Sequence, residues 1–197
     1  MPKVREFLCR KDIAYAAAFD PKDTYVIKKD MKLVQLGRKS PKTFFKNFER
    51  YYNDQTTPNF EPLKLGRSGN KLVNEGLTQL AASQVGKSSR VFNVYAIGKG
   101  EAAVNIRNDA LTDEITRINI LDNAGTLINR GTTCYYSVFF PKTISDVTVK
   151  ETAILDSLIQ SEDLMLLRTL FPPADQIPHV KDRDDIFVGH IIYSGSV

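Results

Sequence analysis

The stretch E-I-T-R-I-N-I-L-D, residues 114–122, decides the fold class, because its polar and apolar side chains alternate. Successive side chains of an extended chain point to opposite sides. One side would carry Thr116, Ile118 and Ile120. The other side would carry a mixed set: Ile115, Arg117, Asn119 and Leu121. This period of two predicts a β-strand.

Five more strand candidates flank this stretch, rich in aromatic and β-branched residues or alternating in polarity. They are residues 89–98, 133–141, 147–156, 164–172 and 185–195. Residues 164–172 could also be helical by composition, but Pro172 and Pro173 close the segment and favour a strand. Six strands joined by short turns predict a mainly β fold, an antiparallel β-sandwich or barrel, of which we favour the sandwich.

An amphipathic helix is predicted just before these strands, over residues 70–85. Leu72, Leu77 and Leu80 recur at helical spacing on one face. Asn70 would cap the first turn, and Gly86 would end the helix in the left-handed conformation. The body of the fold would therefore be residues 70–197, with its boundary near Gly66 to Asn70.

The preceding residues, 1–69, are expected to form a basic, extended N-terminal arm. Residues 1–71 contain 16 Lys/Arg against 8 Asp/Glu, whereas the remainder contains 11 against 15. Residues 23–29 and 32–37 would be short strands joined by a turn. Ser40 and Pro41 suit the start of a helix, predicted over about residues 41–52.

Aromatic residues recur along that short helix, next to basic residues, and form the candidate docking interface of the arm. Its members are Phe44, Phe45, Phe48, Tyr51, Tyr52, Arg38 and Lys39. Such a stripe is typical of a docking face or a core face, and basic arms contact nucleic acid or acidic protein surfaces. A solvated, irregular arm is the alternative.

The chain contains two glycine motifs that resemble phosphate-binding loops, but neither has the required context. Residues 81–88, A-A-S-Q-V-G-K-S, lack the first glycine of a P-loop and follow a helix where a P-loop would precede one. Gly98 and Gly100 follow a strand, yet no helix-opening segment comes after them, so a turn is favoured. We expect no nucleotide and no other cofactor.

Residues for catalysis or metal binding are sparse. Cys9, Cys134, His179 and His190 show none of the paired spacings that zinc requires, so we expect reduced thiols and no metal site. No nucleophile motif is present. The carboxylates beside the strands could serve a glycosidase, but we favour solvation or pairing with Arg117 and Arg168. The sequence thus predicts no catalytic site, no signal peptide and no membrane span.

One set of charged residues forms a candidate structural motif: Glu114, Arg117, Glu151, Asp156 and Arg168. Glu114 and Arg117 are three residues apart. On a regular strand they would face opposite sides, so each is expected to contact a different neighbour.

The order of these motifs resembles the β-sandwich of tailed-bacteriophage virion proteins, the tail-fibre, baseplate and collar adaptors. The likeness covers about 130 of the 197 residues. The chain departs from the pattern at Ala153, where the family often has glycine, and at residues 157–163, where it usually has a tight turn. The matching residues are Gly98, Gly100, Asp109, Leu111, Glu114, Arg117, Glu151, Ile154, Asp156, Leu167, Arg168, Phe171, Pro172 and Pro173.

The resemblance implies a non-enzymatic virion component, an adaptor at the neck, tail or baseplate that binds other virion proteins. A homo-oligomer or a symmetric ring is the expected assembly, in the virion and not at a membrane. A capsid decoration or head-fibre anchor protein is one alternative. Nucleic-acid binding through the basic arm is another, although the acidic body makes nucleic acid the less favoured partner.

Overall fold

Two five-stranded antiparallel sheets form the body of the protein in the computed structural model, which describes residues 12–54, 60–84, 86–122, 125–130, 133–160 and 163–193. Sheet A contains β1 (Ile13–Phe19), β2 (Lys64–Gly69), β6 (Thr126–Arg130), β7 (Thr133–Phe140) and β12 (Asp185–Tyr193). Its order is β2-β1-β12-β7-β6.

Sheet B contains β3 (Lys71–Leu72), β4 (Val94–Gly98), β5 (Glu114–Asn119), β9 (Glu151–Leu155) and β10 (Met165–Leu170). Its order is β3-β10-β9-β4-β5. A small third sheet pairs β8 (Val147–Val149) with β11 (Ile177–His179). The prediction of a mainly β, antiparallel fold is confirmed.

The two large sheets share one hydrophobic core. Ala16, Val138 and Val188 of sheet A belong to the same buried cluster as Ile154 and Leu167 of sheet B. Two further clusters cover the opposite faces of the sheets, one under helices on sheet A and one on sheet B. Both sheets are therefore buried on two faces.

The helix α1 (Pro21–Gln35) lies where the sequence predicted two short strands at 23–29 and 32–37, so that prediction is wrong. Asp20 caps it by accepting from the Asp23 backbone N–H at 2.9 Å, and Pro21 occupies the first turn. Its buried side chains recur every three or four residues and are Thr24, Ile27, Met31 and Val34. This helical period packs α1 against sheet A.

The two helices that the sequence predicted are present with shifted bounds, as α2 (Pro41–Asp54) and α3 (Asn74–Gln84). Asn70 does not cap α3, because its side-chain oxygen accepts from Thr169 at 2.7 Å. Leu77 and Leu80 of α3 are exposed. Gly86 has φ of 70°, so the predicted left-handed residue after the helix is confirmed.

The expected extended arm is wrong for residues 12–54 and 60–69. β1 lies inside sheet A, paired with β2 on one side and with β12 on the other. The boundary expected near Gly66 falls within β2. The rest of the predicted arm, residues 1–11 and 55–59, lies outside the described residues.

All six predicted strands are present, and 147–156 divides into β8 and β9 at Lys150. Most have shorter bounds than predicted; residues 194–195 of the last one lie outside the described residues. The sequence missed β1, β2, β3, β6 and β11. Within the described part of the chain, no helix is long and apolar enough to cross a membrane.

Candidate functional site: a buried polar network

An ion pair between Glu151 and Arg168 is enclosed in the protein, with both side chains 0% exposed. The residues lie on the neighbouring strands β9 and β10. The Arg168 guanidinium donates to Glu151 Oε2 from Nε at 2.9 Å and from Nη2 at 2.6 Å. The pairing expected for Arg168 is thus present, but in the interior and not on a sheet surface.

The pair holds the long connection between β4 and β5, residues 99–113, against sheet B. Arg168 donates to the Ala102 carbonyl at 3.0 Å, to Thr112 Oγ1 at 2.6 Å and to Asn108 Oδ1 at 3.1 Å. These bonds give the guanidinium three acceptors from different parts of one loop. Because buried charges need such partners, the loop and the pair stabilise each other.

Backbone N–H groups of the same connection complete the carboxylate. Gly100 and Asp113 donate to Glu151 Oε1 at 3.1 and 3.0 Å, and Thr112 donates to Oε2 at 3.3 Å. Three backbone N–H groups and two guanidinium N–H groups donate to this carboxylate, which fixes the loop to β9. It has little capacity left to act as a general base or a metal ligand.

The motif Gly98-Lys99-Gly100 has a packing role in this network. A Cβ on Gly98 would lie 2.7 Å from both the Asp113 carbonyl oxygen and Glu151 Oε1. A Cβ on Gly100 would collide with the same carboxylate and approach Thr112 Cβ to 2.5 Å. Glycine is therefore required for the close approach of the loop to Glu151.

Glu114 and Arg117 contact each other directly, so the expectation that they face opposite sides is wrong. Arg117 Nε and Nη2 donate to Glu114 Oε1 and Oε2 at 2.7 and 2.6 Å, and the hydrogen bond to Glu114 raises the pKa of Arg117. The reason is an irregularity in β5. Thr116 pairs with Ile97 and Glu114 with Gly98, so one extra residue, Ile115, breaks the alternation.

The same arginine also binds the segment after β9, donating to Asp163 Oδ2 at 2.7 Å and to the Ser157 carbonyl at 3.1 Å. Asp156 forms an ion pair with Arg90 and accepts from the Leu164 backbone N–H at 2.7 Å. All five residues of the candidate structural motif thus make internal bonds around sheet B.

A second polar group, centred on His190, lies between the sheets and was missed by the sequence analysis. Tyr95 Oη is 2.5 Å from His190 Nδ1, and Thr152 Oγ1 is 3.2 Å from Nε2. Thr169 donates its hydroxyl proton to Asn70, so its oxygen is free to accept from Nε2 at 3.4 Å. A lone histidine in an apolar strand was its sequence signal.

The His190 ring is neutral in the folded protein, since burial lowers its pKa from 6.5 to about 3. The unfolded chain binds a proton near pH 6.5, so acid favours unfolding between these two values. We expect this group to lower the free energy of unfolding by about 1.4 kcal/mol per pH unit as the pH falls through that window.

The measurement is urea unfolding at several pH values between about 7 and 4. His190→Gln should remove this part of the pH dependence. His179→Gln is the matched control, because it also removes one histidine but leaves the His190 contribution. An unchanged pH slope in His190→Gln would contradict the assignment.

The expected docking stripe lies largely inside the protein. Phe44, Phe45 and Phe48 are 1%, 3% and 0% exposed and belong to the cluster beneath α2. The prediction that these three residues form a docking interface is wrong, because they lie in the protein's own hydrophobic core. Tyr51 packs against the same cluster, while Tyr52 is partly exposed and lies under Arg67.

The two basic residues of the expected interface, Arg38 and Lys39, differ in their exposure and pairing. Arg38 is exposed, whereas Lys39 forms an ion pair with Asp30. Sequence reasoning thus identified exposed positions at Arg38 and Tyr52 but mistook core residues for surface ones.

Chemically reactive groups are scarce in the described residues. No group of three or more His, Cys, Asp or Glu side chains within them could hold a metal ion. Burial raises the pKa of the Cys134 thiol, which disfavours the reactive thiolate; Cys9 lies outside the described residues. The Lys87 N–H donates to the Ala82 carbonyl at 2.8 Å, as expected of a helix end and not of a phosphate loop.

No family model, no curated protein and no solved structure matches the chain.

Proposed function

We propose that this chain is a non-enzymatic structural component of a tailed-phage virion, an adaptor at the neck, tail or baseplate. In this proposal sheets A and B form a β-sandwich that acts as a rigid module. Other virion chains, including copies of the same chain in a ring, are the partners.

The observation that supports the proposal is that the charged motif residues bind loops of the same chain. Glu151 and Arg168 hold residues 99–113, and Arg117 joins Glu114 to Asp163. These bonds connect loops to strands. Glu114 also lines a cavity of about 480 Å³, but its carboxylate is held there by the Arg117 guanidinium. Such a use of polar groups suits a scaffold better than an enzyme.

An adaptor needs a contact surface, and a group of exposed apolar side chains offers one. Val91, Leu121, Leu158 and Ile159 are 57%, 57%, 51% and 55% exposed. We call them the apolar end of sheet B. Exposed apolar side chains that are grouped together mark protein contacts more often than scattered ones do.

Strand pairing brings these four residues to one end of the sheet. Val94, the first residue of β4, pairs with Asn119 at the end of β5 and with Leu155 at the end of β9. Just beyond those pairs, the Ile120 N–H donates to the Asn93 carbonyl at 2.8 Å, and Arg90 binds Asp156. Each of the four apolar residues lies within three positions, in sequence, of one of these bonded residues.

A substitution test uses charge to block this surface. The double variant Leu121→Asp, Ile159→Asp should fold but lose most of its incorporation into particles, because a carboxylate would have to be buried against the partner. Leu36→Asp is the control, since Leu36 is equally exposed at 58% but lies at the end of α1.

The readout is the amount of chain in gradient-purified particles after complementation of a phage that lacks it. Full incorporation of the double variant would reject the apolar end as the contact surface. Equal loss in Leu36→Asp would show a general effect of added charge. Circular dichroism of both variants establishes that they fold.

A further inference from the structure

A groove with a strongly basic rim runs beside the start of α2. Two adjoining cavities of about 490 and 180 Å³ share Lys42 and Tyr135 as lining residues. The first extends toward Arg38 and Arg130, and the second toward Lys46. We call the two cavities together the basic groove.

Among the described residues, five cationic side chains line the basic groove, against a single acidic one, Glu49. Lys39 is neutralised by its ion pair with Asp30. Within the described part of the chain, the other four cations make no ion pair. They are Arg38, Lys42, Lys46 and Arg130.

The floor of the groove is buried and mostly apolar. Tyr135 is 7% exposed and stacks on Phe45 with ring centres 5.7 Å apart, and Ile13 and Ile191 lie beside them. A low-dielectric floor strengthens the field of the cations above it. The N-terminal end of α2, which begins at Pro41, adds partial positive charge on the same side.

We propose that the basic groove binds the phosphate backbone of nucleic acid, without reading its sequence. Four cations that have no ion-pair partner among the described residues, placed along an open groove, match a repeating polyanion. Tyr135 is too buried to stack with a base, so the contacts are to the backbone alone. Two of the four cations are lysines, which are depleted from protein–protein interfaces, so we favour nucleic acid over an acidic protein as the occupant.

This inference goes beyond the proposed adaptor role and does not depend on it, because the groove lies on sheet A and α2 while the apolar end lies on sheet B. The sequence analysis gave nucleic-acid binding through an extended basic arm as an alternative function. The present proposal places that binding in a folded groove instead. Arg130 comes from β6, far from the basic N-terminal third in sequence.

The test is fluorescence anisotropy of the full chain with a labelled single-stranded oligonucleotide of about 20 nucleotides, titrated over a range of salt. Four phosphate contacts predict a slope of log K against log salt of about −2.8 for a single strand and about −3.6 for a duplex. The triple variant Lys42→Gln, Lys46→Gln, Arg130→Gln should reduce the single-strand slope to about −0.7.

The matched control removes the same charge elsewhere, with Lys22→Gln, Lys87→Gln and Lys181→Gln, three exposed lysines outside the groove. It should retain a slope close to that of the wild type. Equal loss of slope in both triple variants would overturn the proposal, since net charge alone would then explain binding. Absence of binding at low salt would overturn it as well, as would binding of poly-glutamate in preference to the oligonucleotide.

Discussion

Replacing Arg168 with methionine is expected to lower the free energy of unfolding by about 3–5 kcal/mol. The substitution leaves the Glu151 carboxylate buried without its cation, and it removes the bonds to Ala102, Asn108 and Thr112. For a chain of this size the loss corresponds to a fall in Tm of roughly 6–20 °C.

Urea unfolding measures this loss, and Lys99→Met is the control. Lys99 pairs with Asp113 at 3.6 Å, but both side chains are 53% exposed, so its removal should cost less than about 1 kcal/mol. Similar losses in the two variants would contradict the special role of the buried pair.

A double variant tests whether Glu151 and Arg168 stabilise the fold as a pair. Glu151→Gln, Arg168→Met should be less destabilised than the sum of the two single variants, because no charge is then left buried alone. Strict additivity would mean that the two side chains act independently.

Phe48→Ala is expected to lower the free energy of unfolding by about 3–5 kcal/mol, because it opens a cavity in a close-packed aromatic cluster. Phe48 is fully buried and stacks on Phe187 with ring centres 4.6 Å apart. Urea unfolding of the purified variant is the measurement.

Tyr52→Ala provides the control on the same helix, since Tyr52 is 37% exposed and should cost far less. A Phe48 variant that is as stable as the wild type would contradict the core assignment. It would restore the hypothesis that this aromatic stripe docks on another chain.

The sequence predicted the C-terminal strands because their patterns or aromatic content are clear, but it missed β1 for a physical reason. β1, I-A-Y-A-A-A-F, is buried on both faces, and strands of that kind do not alternate. α1 was misassigned because short apolar runs such as Tyr25-Val26-Ile27 resemble strands. Its helical period becomes clear only when Thr24, Ile27, Met31 and Val34 are read together.

The candidate motif was predicted by residue type but not by geometry. Opposite charges at Glu151 and Arg168 suggested a pair, yet their enclosure depends on residues 99–113 folding over sheet B. The contact between Glu114 and Arg117 depends on the extra residue in β5, which no local pattern revealed. Likewise, the basic groove joins Arg130 to Lys42 across almost ninety positions of sequence, and only the tertiary fold brings them together.

Antibody-gold labelling of gradient-purified particles tests the proposed function most directly. The adaptor proposal predicts gold clustered at the neck, tail or baseplate. Gold spread over the head would contradict an adaptor position and favour a decoration or head-fibre anchor protein. Particles that remain unlabelled after partial disruption would contradict a virion role altogether.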